Sequence, residues 1–192
     1  MTAECGVLAV SVVICACGEV PWEQLRAAIG SVLSQQPRPA EVLLVVDRHE
    51  KLAKRARQEL TGVRILENRG VPGLSGARDT GLRAASQPIT AFLDDDAEAR
   101  PGWLKSLVQP YGSPDVVATG GSVHRRWPRR LPRWLPPEFS WVVGGSYHGL
   151  PVSVAPVRHP IGANMSMLTG RAVQAGGFDA GRTEARSRAG SG

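Results

Sequence analysis

Cysteine is scarce and poorly placed for cross-linking. The 192-residue chain has three, Cys5, Cys15 and Cys17. They cluster near the start and have no partner downstream, so a disulfide framework is excluded and zinc would need ligands from elsewhere. They read as reduced core cysteines of a cytosolic protein. Long apolar runs are missing too, and none approaches the ~20 residues that span a bilayer. The apolar stretch 7–17 has no Lys or Arg ahead of it, and Glu4 is the only charge there. Neither a secretory signal nor a lipobox ending at Cys15 or Cys17 fits that charge pattern. No G-x-G-x-x-G follows the first apolar run and no P-loop sequence occurs, which argues against a dinucleotide-binding enzyme and a P-loop nucleotidase.

What is present is balanced for a globular chain, with 42% hydrophobic and 21% charged residues. That lies outside the disordered regime. The 22 glycines and 15 prolines predict many loops but stay below the roughly 25–30% that marks low complexity. The length suits one domain that buries a core without staples. The net charge of +6 is mostly local: Arg125, Arg126, Arg129, Arg130 and Arg133 lie between His124 and Trp134 with no acid among them. No nucleic-acid module accompanies them, so nucleic acid is not a predicted partner. This Arg/Trp/Pro segment reads either as an exposed loop or as a contact with an anionic lipid surface or an acidic acceptor.

Strand-like and helix-like segments alternate over the first 120 residues. Val7–Ile14 is apolar apart from Ser11 and rich in β-branched residues, as a strand buried on both faces is. Pro21 opens a helix in which Trp22, Leu25, Ile29, Val32 and Leu33 recur at helical spacing. Further predicted elements are strand Glu41–Val46, helix Glu50–Leu60, strand Val63–Leu66, helix Gly76–Ser86 with Ser75 as its cap, and strand Ile89–Leu93. A helix from Pro101, a short strand Asp115–Thr119, a regular segment Ile161–Met167 and a short helix Thr169–Ala175 follow. Repeated β-α-β units predict an α/β fold, a mostly parallel sheet with helices on both faces. Residues 1–180 read as that domain. Residues 181–192 contain no apolar side chain larger than Ala and read as a disordered tail.

In such sheets ligands bind at the carboxyl ends of the strands, and acidic residues fall there. Asp94, Asp95 and Asp96 follow Phe92-Leu93. Three adjacent carboxylates repel unless a cation or solvent relieves them. Extended-chain alternation puts Asp94 and Asp96 on one side, and two oxygen ligands plus a diphosphate suit Mg²⁺ or Mn²⁺. A solvated acidic turn is the structural alternative. Asp47 ends the second strand. It is a candidate for a base or ribose contact, or a cap for the helix that starts near Glu50.

Several ordered motifs resemble family 2 glycosyltransferases of the GT-A, Rossmann-like fold. They are Val10-Ser11-Val12-Val13-Ile14, Ser31-Val32-Leu33-Ser34-Gln35 and Glu41 to Asp47. Gly73-Leu74-Ser75-Gly76-Ala77-Arg78-Asp79-Thr80-Gly81, Phe92 to Asp96, Gly162-Ala163-Asn164-Met165-Ser166 and Gly176-Gly177-Phe178-Asp179 complete the set. The resemblance covers about residues 8 to 180. It implies transfer of a sugar, normally with inversion, from a nucleoside-diphosphate sugar to an acceptor hydroxyl on a glycan, lipid or small molecule. It implies that Asp47 holds the nucleobase or ribose, that Asp94 or Asp95 faces the ribose and pyrophosphate, and that Asp96 binds the metal. Arg78 either touches a phosphate or locks the Asp94–Asp96 turn.

The chain departs from the family pattern in three places. Cys15-Ala16-Cys17-Gly18-Glu19 stands where a Pro-Thr-x-Asn-like turn is usual, and Asp79 stands where Asn follows Ala-Arg. After Gly177 only Asp179 and Glu184 are acidic, where the family carries an acidic stretch that supplies its base. The expectation is a chain incomplete at its C-terminal end that binds donor and metal but turns over poorly. The alternative is a non-catalytic nucleotide- or partner-binding remnant of the same fold. The predicted location is cytoplasmic, at the inner membrane face if the arginine segment meets lipid.

Overall fold

An uncharged run of small and β-branched residues forms β1 (Val10–Cys17), buried from Val10 to Ala16. The protein is seen in a computed structural model that describes residues 9–124, 126, 145–146, 149–151 and 153–178. α1 (Trp22–Leu33) follows, with Leu25, Ala28, Ile29 and Val32 forming its buried stripe. Next come β2 (Glu41–Asp47), α2 (Glu50–Glu59), β3 (Arg64–Asn68), α3 (Leu74–Ala84) and β4 (Ile89–Asp94). α4 (Trp103–Val108) leads through one 3₁₀ turn to β5 (Ala118–Gly120), and β6 (Asn164–Leu168) runs directly into α5 (Thr169–Gln174).

The sheet order is β3-β2-β1-β4-β6-β5. β1 to β4 are mutually parallel, and β6 is antiparallel to both β4 and β5. Alternation along β1 divides the core. Val10, Val12, Ile14 and Ala16 pack with α1, α2 and α4 on one face. Val13 and Cys15 pack with Ala77 and Leu82 of α3, Phe92 and Met165 on the other. The sheet turns back on itself at β1, because β2 and β3 lie to one side of it and β4 to the other. That is the switch point at which open α/β sheets form a crevice. Among the described residues no helix is long and apolar enough to cross a membrane.

The structure moves some predicted boundaries. β1 reaches Cys17, because it pairs with β2 as far as Cys17 beside Asp47. Cys15 and Cys17 therefore belong to the strand, and the turn begins at Gly18. Ser75 is not the cap of α3; it lies inside the first turn, and Gly73 holds the cap position with φ +96°. The short strand after α4 begins at Ala118 rather than Asp115. Ile161–Ala163 form a turn ahead of β6, closed by the Asn164 N–H on the Ile161 carbonyl at 3.0 Å. The tail 181–192 lies outside the described residues, as do Cys5, Arg125, Arg129, Arg130 and Arg133.

Candidate functional site

Strand register brings the polar residues together. At the carboxyl edge of the sheet Asn68 sits beside Asp47, Asp47 beside Cys17, and Asp94 beside Cys15 on the neighbouring strand. β4 stops at Asp94, and the Ala97 N–H closes a turn on the Asp94 carbonyl at 3.1 Å. Because the chain turns at Asp95, extended-chain alternation does not relate Asp94 to Asp96. Asp94 and Asp95 are half-buried and Asp96 is exposed.

Arg78 projects from α3 onto this turn. Its Nη2 donates to Asp94 Oδ1 at 3.0 Å and to the Gly162 carbonyl at 3.1 Å. A Cβ on Gly162 would lie 3.0 Å from both Nη atoms, so any larger residue there makes the guanidinium give way by a few tenths of an ångström. Arg78 thus joins α3, the end of β4 and the turn before β6. Burial raises the Asp94 carboxyl above the ordinary aspartate value, with Arg78 acting in the opposite sense. Burial, reinforced by the Asp96 and Asp94 charges, pushes Asp95 up to about 6. Burial, then the Asp47 charge, pushes the Cys17 thiol up to about 11.

Asp47 is held from two sides. Its Oδ1 accepts from Asn68 Nδ2 at 2.7 Å and its Oδ2 from the Gly73 N–H at 2.8 Å. It does not cap α2. His49 does, its Nδ1 accepting the Leu52 N–H at 3.1 Å. Asp79 accepts from Arg83 Nε at 2.7 Å and from the Phe178 N–H at 3.3 Å. With the Phe92–Phe178 edge-on ring contact at 5.2 Å, it docks the Gly-Gly-Phe turn on α3.

Sequence reasoning missed Asn68, Cys17 and the Gly162 carbonyl as parts of this edge. Asn68 did leave a signal: Asn two residues before Gly at a strand end suits an Asx turn, and Gly70 N–H donates to Asn68 Oδ1 at 3.0 Å. Arg126 is exposed and pairs with Glu98 at 2.7 Å. An open cleft of about 500 Å³ lies nearby between the β1–α1 turn and α2, lined in part by Trp22, His49, Lys51 and Arg55. None of the candidate aspartates lines it, so its volume is no guide to the carboxylate edge.

Among the described residues no group of three His, Cys, Asp or Glu side chains is arranged to hold a metal ion. The donors at the edge are hard carboxylate oxygens. That set fits Mg²⁺ or Mn²⁺ bound through one or two carboxylates, with water and substrate phosphates filling the other positions.

Residues 11–168 match the family model described as "Glycosyl transferase family 2". The chain is 34% identical over 177 residues to a glucosyl-dolichyl phosphate glucuronosyltransferase of Haloferax volcanii, covering 88% of this chain and 56% of the relative. It resembles the mannosyltransferase PcManGT of Pyrobaculum calidifontis, solved with GDP-Man and Mn²⁺, with a TM-score of 0.62 and 19% identity over 91% of this chain and 48% of that one. A crystal structure of S. aureus TarS 1-349 is similar with a TM-score of 0.57 and 14% identity, covering 89% of this chain and 50% of that one. The chain spans about half the length of these proteins.

Proposed function

Because the chain belongs to glycosyl transferase family 2, we propose that it moves a sugar from a metal-bound nucleoside-diphosphate donor to an acceptor hydroxyl, with inversion at the anomeric carbon. In that step the acceptor oxygen bonds to the anomeric carbon. The bond to the diphosphate oxygen breaks, and the hydroxyl proton leaves to a base. The observation that carries the reading is the Arg78–Asp94–Gly162 lock, which fixes an acidic turn at the switch point of a parallel sheet.

Asp47 takes the nucleobase or ribose, using lone pairs left free by Asn68 and Gly73. Asp94 and Asp95 face the ribose and pyrophosphate, and Asp96 with Asp94 would hold Mn²⁺ or Mg²⁺. A bound cation there offsets the charge that builds on the departing diphosphate. Arg78 orients Asp94 and adds positive charge beside the same phosphates. No described residue takes the role of acceptor base in this proposal. A lipid-phosphate-linked sugar is the first acceptor class to test, because the name of the Haloferax relative contains one.

Calorimetry with UDP and GDP, with and without Mn²⁺, tests the donor half. Nucleotide and metal are expected to bind with positive coupling, and Asp96→Ala to abolish that coupling. Equal affinity with and without Mn²⁺ in the wild type would sink the metal assignment.

A further inference from the structure

We infer that Asn68 is a positioning residue of the donor site, setting the direction of the Asp47 carboxylate and the course of the loop 69–73 beside it. This rests on the reading of Asp47 as a donor contact. Asn68 is only 4% exposed, and its amide is fully used. Nδ2 donates to Asp47 Oδ1 at 2.7 Å and to the Val71 carbonyl at 2.8 Å. Oδ1 accepts from the Gly70 N–H at 3.0 Å and from Thr80 Oγ1 at 3.0 Å. A primary amide has two donor hydrogens and two acceptor lone pairs, so nothing on this side chain is left for a ligand. Its role is to hold other groups.

What it holds converges on one place. Asp47 ends β2, Thr80 belongs to α3, and Val71 lies in the loop between β3 and α3. The loop returns to Asp47 through the Gly73 N–H on Oδ2 at 2.8 Å. Both oxygens of Asp47 are therefore pinned by a circuit that closes through Asn68. The packing leaves little slack, since a Cβ on Gly76 would fall 1.8 Å from the Val71 carbonyl oxygen and 3.1 Å from Asn68 Nδ2. A carboxylate held by two fixed donors presents its remaining lone pairs in one direction, and that preorganisation is what a positioned ligand contact requires. Without Asn68, Asp47 keeps its charge and loses its aim.

The test is a double-mutant cycle between Asn68→Ala and Asp47→Ala, read by calorimetric affinity for UDP, GDP and pyrophosphate in Mn²⁺. In the wild-type background Asn68→Ala is expected to weaken the better-bound nucleotide about tenfold, one charge-assisted hydrogen bond's worth. Pyrophosphate affinity is expected to stay within about twofold, on the same hydrogen-bond scale. In the Asp47→Ala background Asn68→Ala is expected to cost nothing further, because its route of action is already gone. Thr80→Val, which removes one hydroxyl and conserves shape, repeats the cycle at smaller amplitude if Asn68→Ala does not fold. An equal loss from Asn68→Ala in both backgrounds, or an equal loss for pyrophosphate and nucleotide, would overturn the inference. Failure of the wild type to bind either nucleotide instead overturns the donor reading itself, and the inference falls with it.

Discussion

Arg78 ties the end of β4 to the turn before β6 through one guanidinium nitrogen. It is 14% exposed in its side chain, pairs with Asp94 and covers Gly162. Gly162→Ala places a methyl against both guanidinium nitrogens. The guanidinium must give by a few tenths of an ångström, and that shift falls on its contacts with Asp94 and the Gly162 carbonyl. Weaker nucleotide binding is expected from Gly162→Ala. Gly170→Ala, with nothing within 4 Å of the added carbon, is expected to leave affinity unchanged, as titration calorimetry will show. Asp95 supplies a pH signature. Its folded carboxyl titrates near 6 rather than the ordinary 3.8, so the native state holds more protons than the unfolded chain between those values. Stability from this group is present at low pH and declines as pH rises through that window. In metal-free buffer the thermal midpoint of the wild type is expected to fall relative to Asp95→Asn between pH 4 and about 6. Parallel melting curves for the two proteins would expose the wrong sign at once.

α3 is the element on which the site depends most. It carries Arg78, Asp79 and Thr80 on successive positions, and each reaches a different neighbour: Asp94, the Phe178 N–H and Asn68. Its close approach to the sheet is made at Gly81, where a Cβ would lie 2.4 Å from Val13 Cγ1 and 3.2 Å from Val45 Cγ2. Gly81→Ala is expected to push α3 off the sheet and destabilise the fold by about 1–3 kcal/mol, measured by urea unfolding. Much of α3 was legible in advance through the resemblance of the run Gly73 to Gly81 to a family motif, and of its three glycines Gly81 is the one that meets side chains of the sheet interior. Its start was not. Ser75 is the residue type that normally caps, yet Gly73 takes the position with φ +96°, a conformation that favours glycine, and its N–H donates to Asp47. At α2 the cap is likewise not the acidic residue the sequence offered: His49 accepts the Leu52 N–H and Asp47 does not.

Across the whole molecule, apolar periodicity carried the reading of the parallel strands, since a strand buried on both faces needs an unbroken apolar run. Val42–Val46 is such a run, and Val10–Ala16 is one interrupted by Ser11 alone, whose hydroxyl donates to Glu41; both are buried along their length. Register was not legible, and register is what puts Asp47 beside Cys17 and Asn68 and leaves Asp94 two residues short of that line. Placing Asp94 and Asp96 on one side failed for a different reason: alternation holds only while the chain stays extended, and the chain turns at Asp95. Ligand linkage reports on the assembled whole. If donor and cation bind only the folded chain, UDP or GDP with Mn²⁺ at ~100 times Kd stabilises it by about 2.7 kcal/mol. The thermal midpoint is then expected to rise with both present and to rise less with either alone.

The sheet order leaves β3 with one neighbouring strand among the described residues, and the sequence treats that border differently from the interior. Where β1 and β2 run apolar, β3 reads Arg64, Ile65, Leu66, Glu67, Asn68, with Arg64 exposed and Glu67 paired with Arg57 of α2. Unpaired strand borders invite a second chain to add its own strand, and outward charges make that docking costly. The charges on β3 are expected to oppose docking of a second copy at that border. Replacing Arg64 and Glu67 together by valine is expected to raise light scattering with time at unchanged secondary structure. Scattering no greater than that of the wild type would show that these charges play no such part.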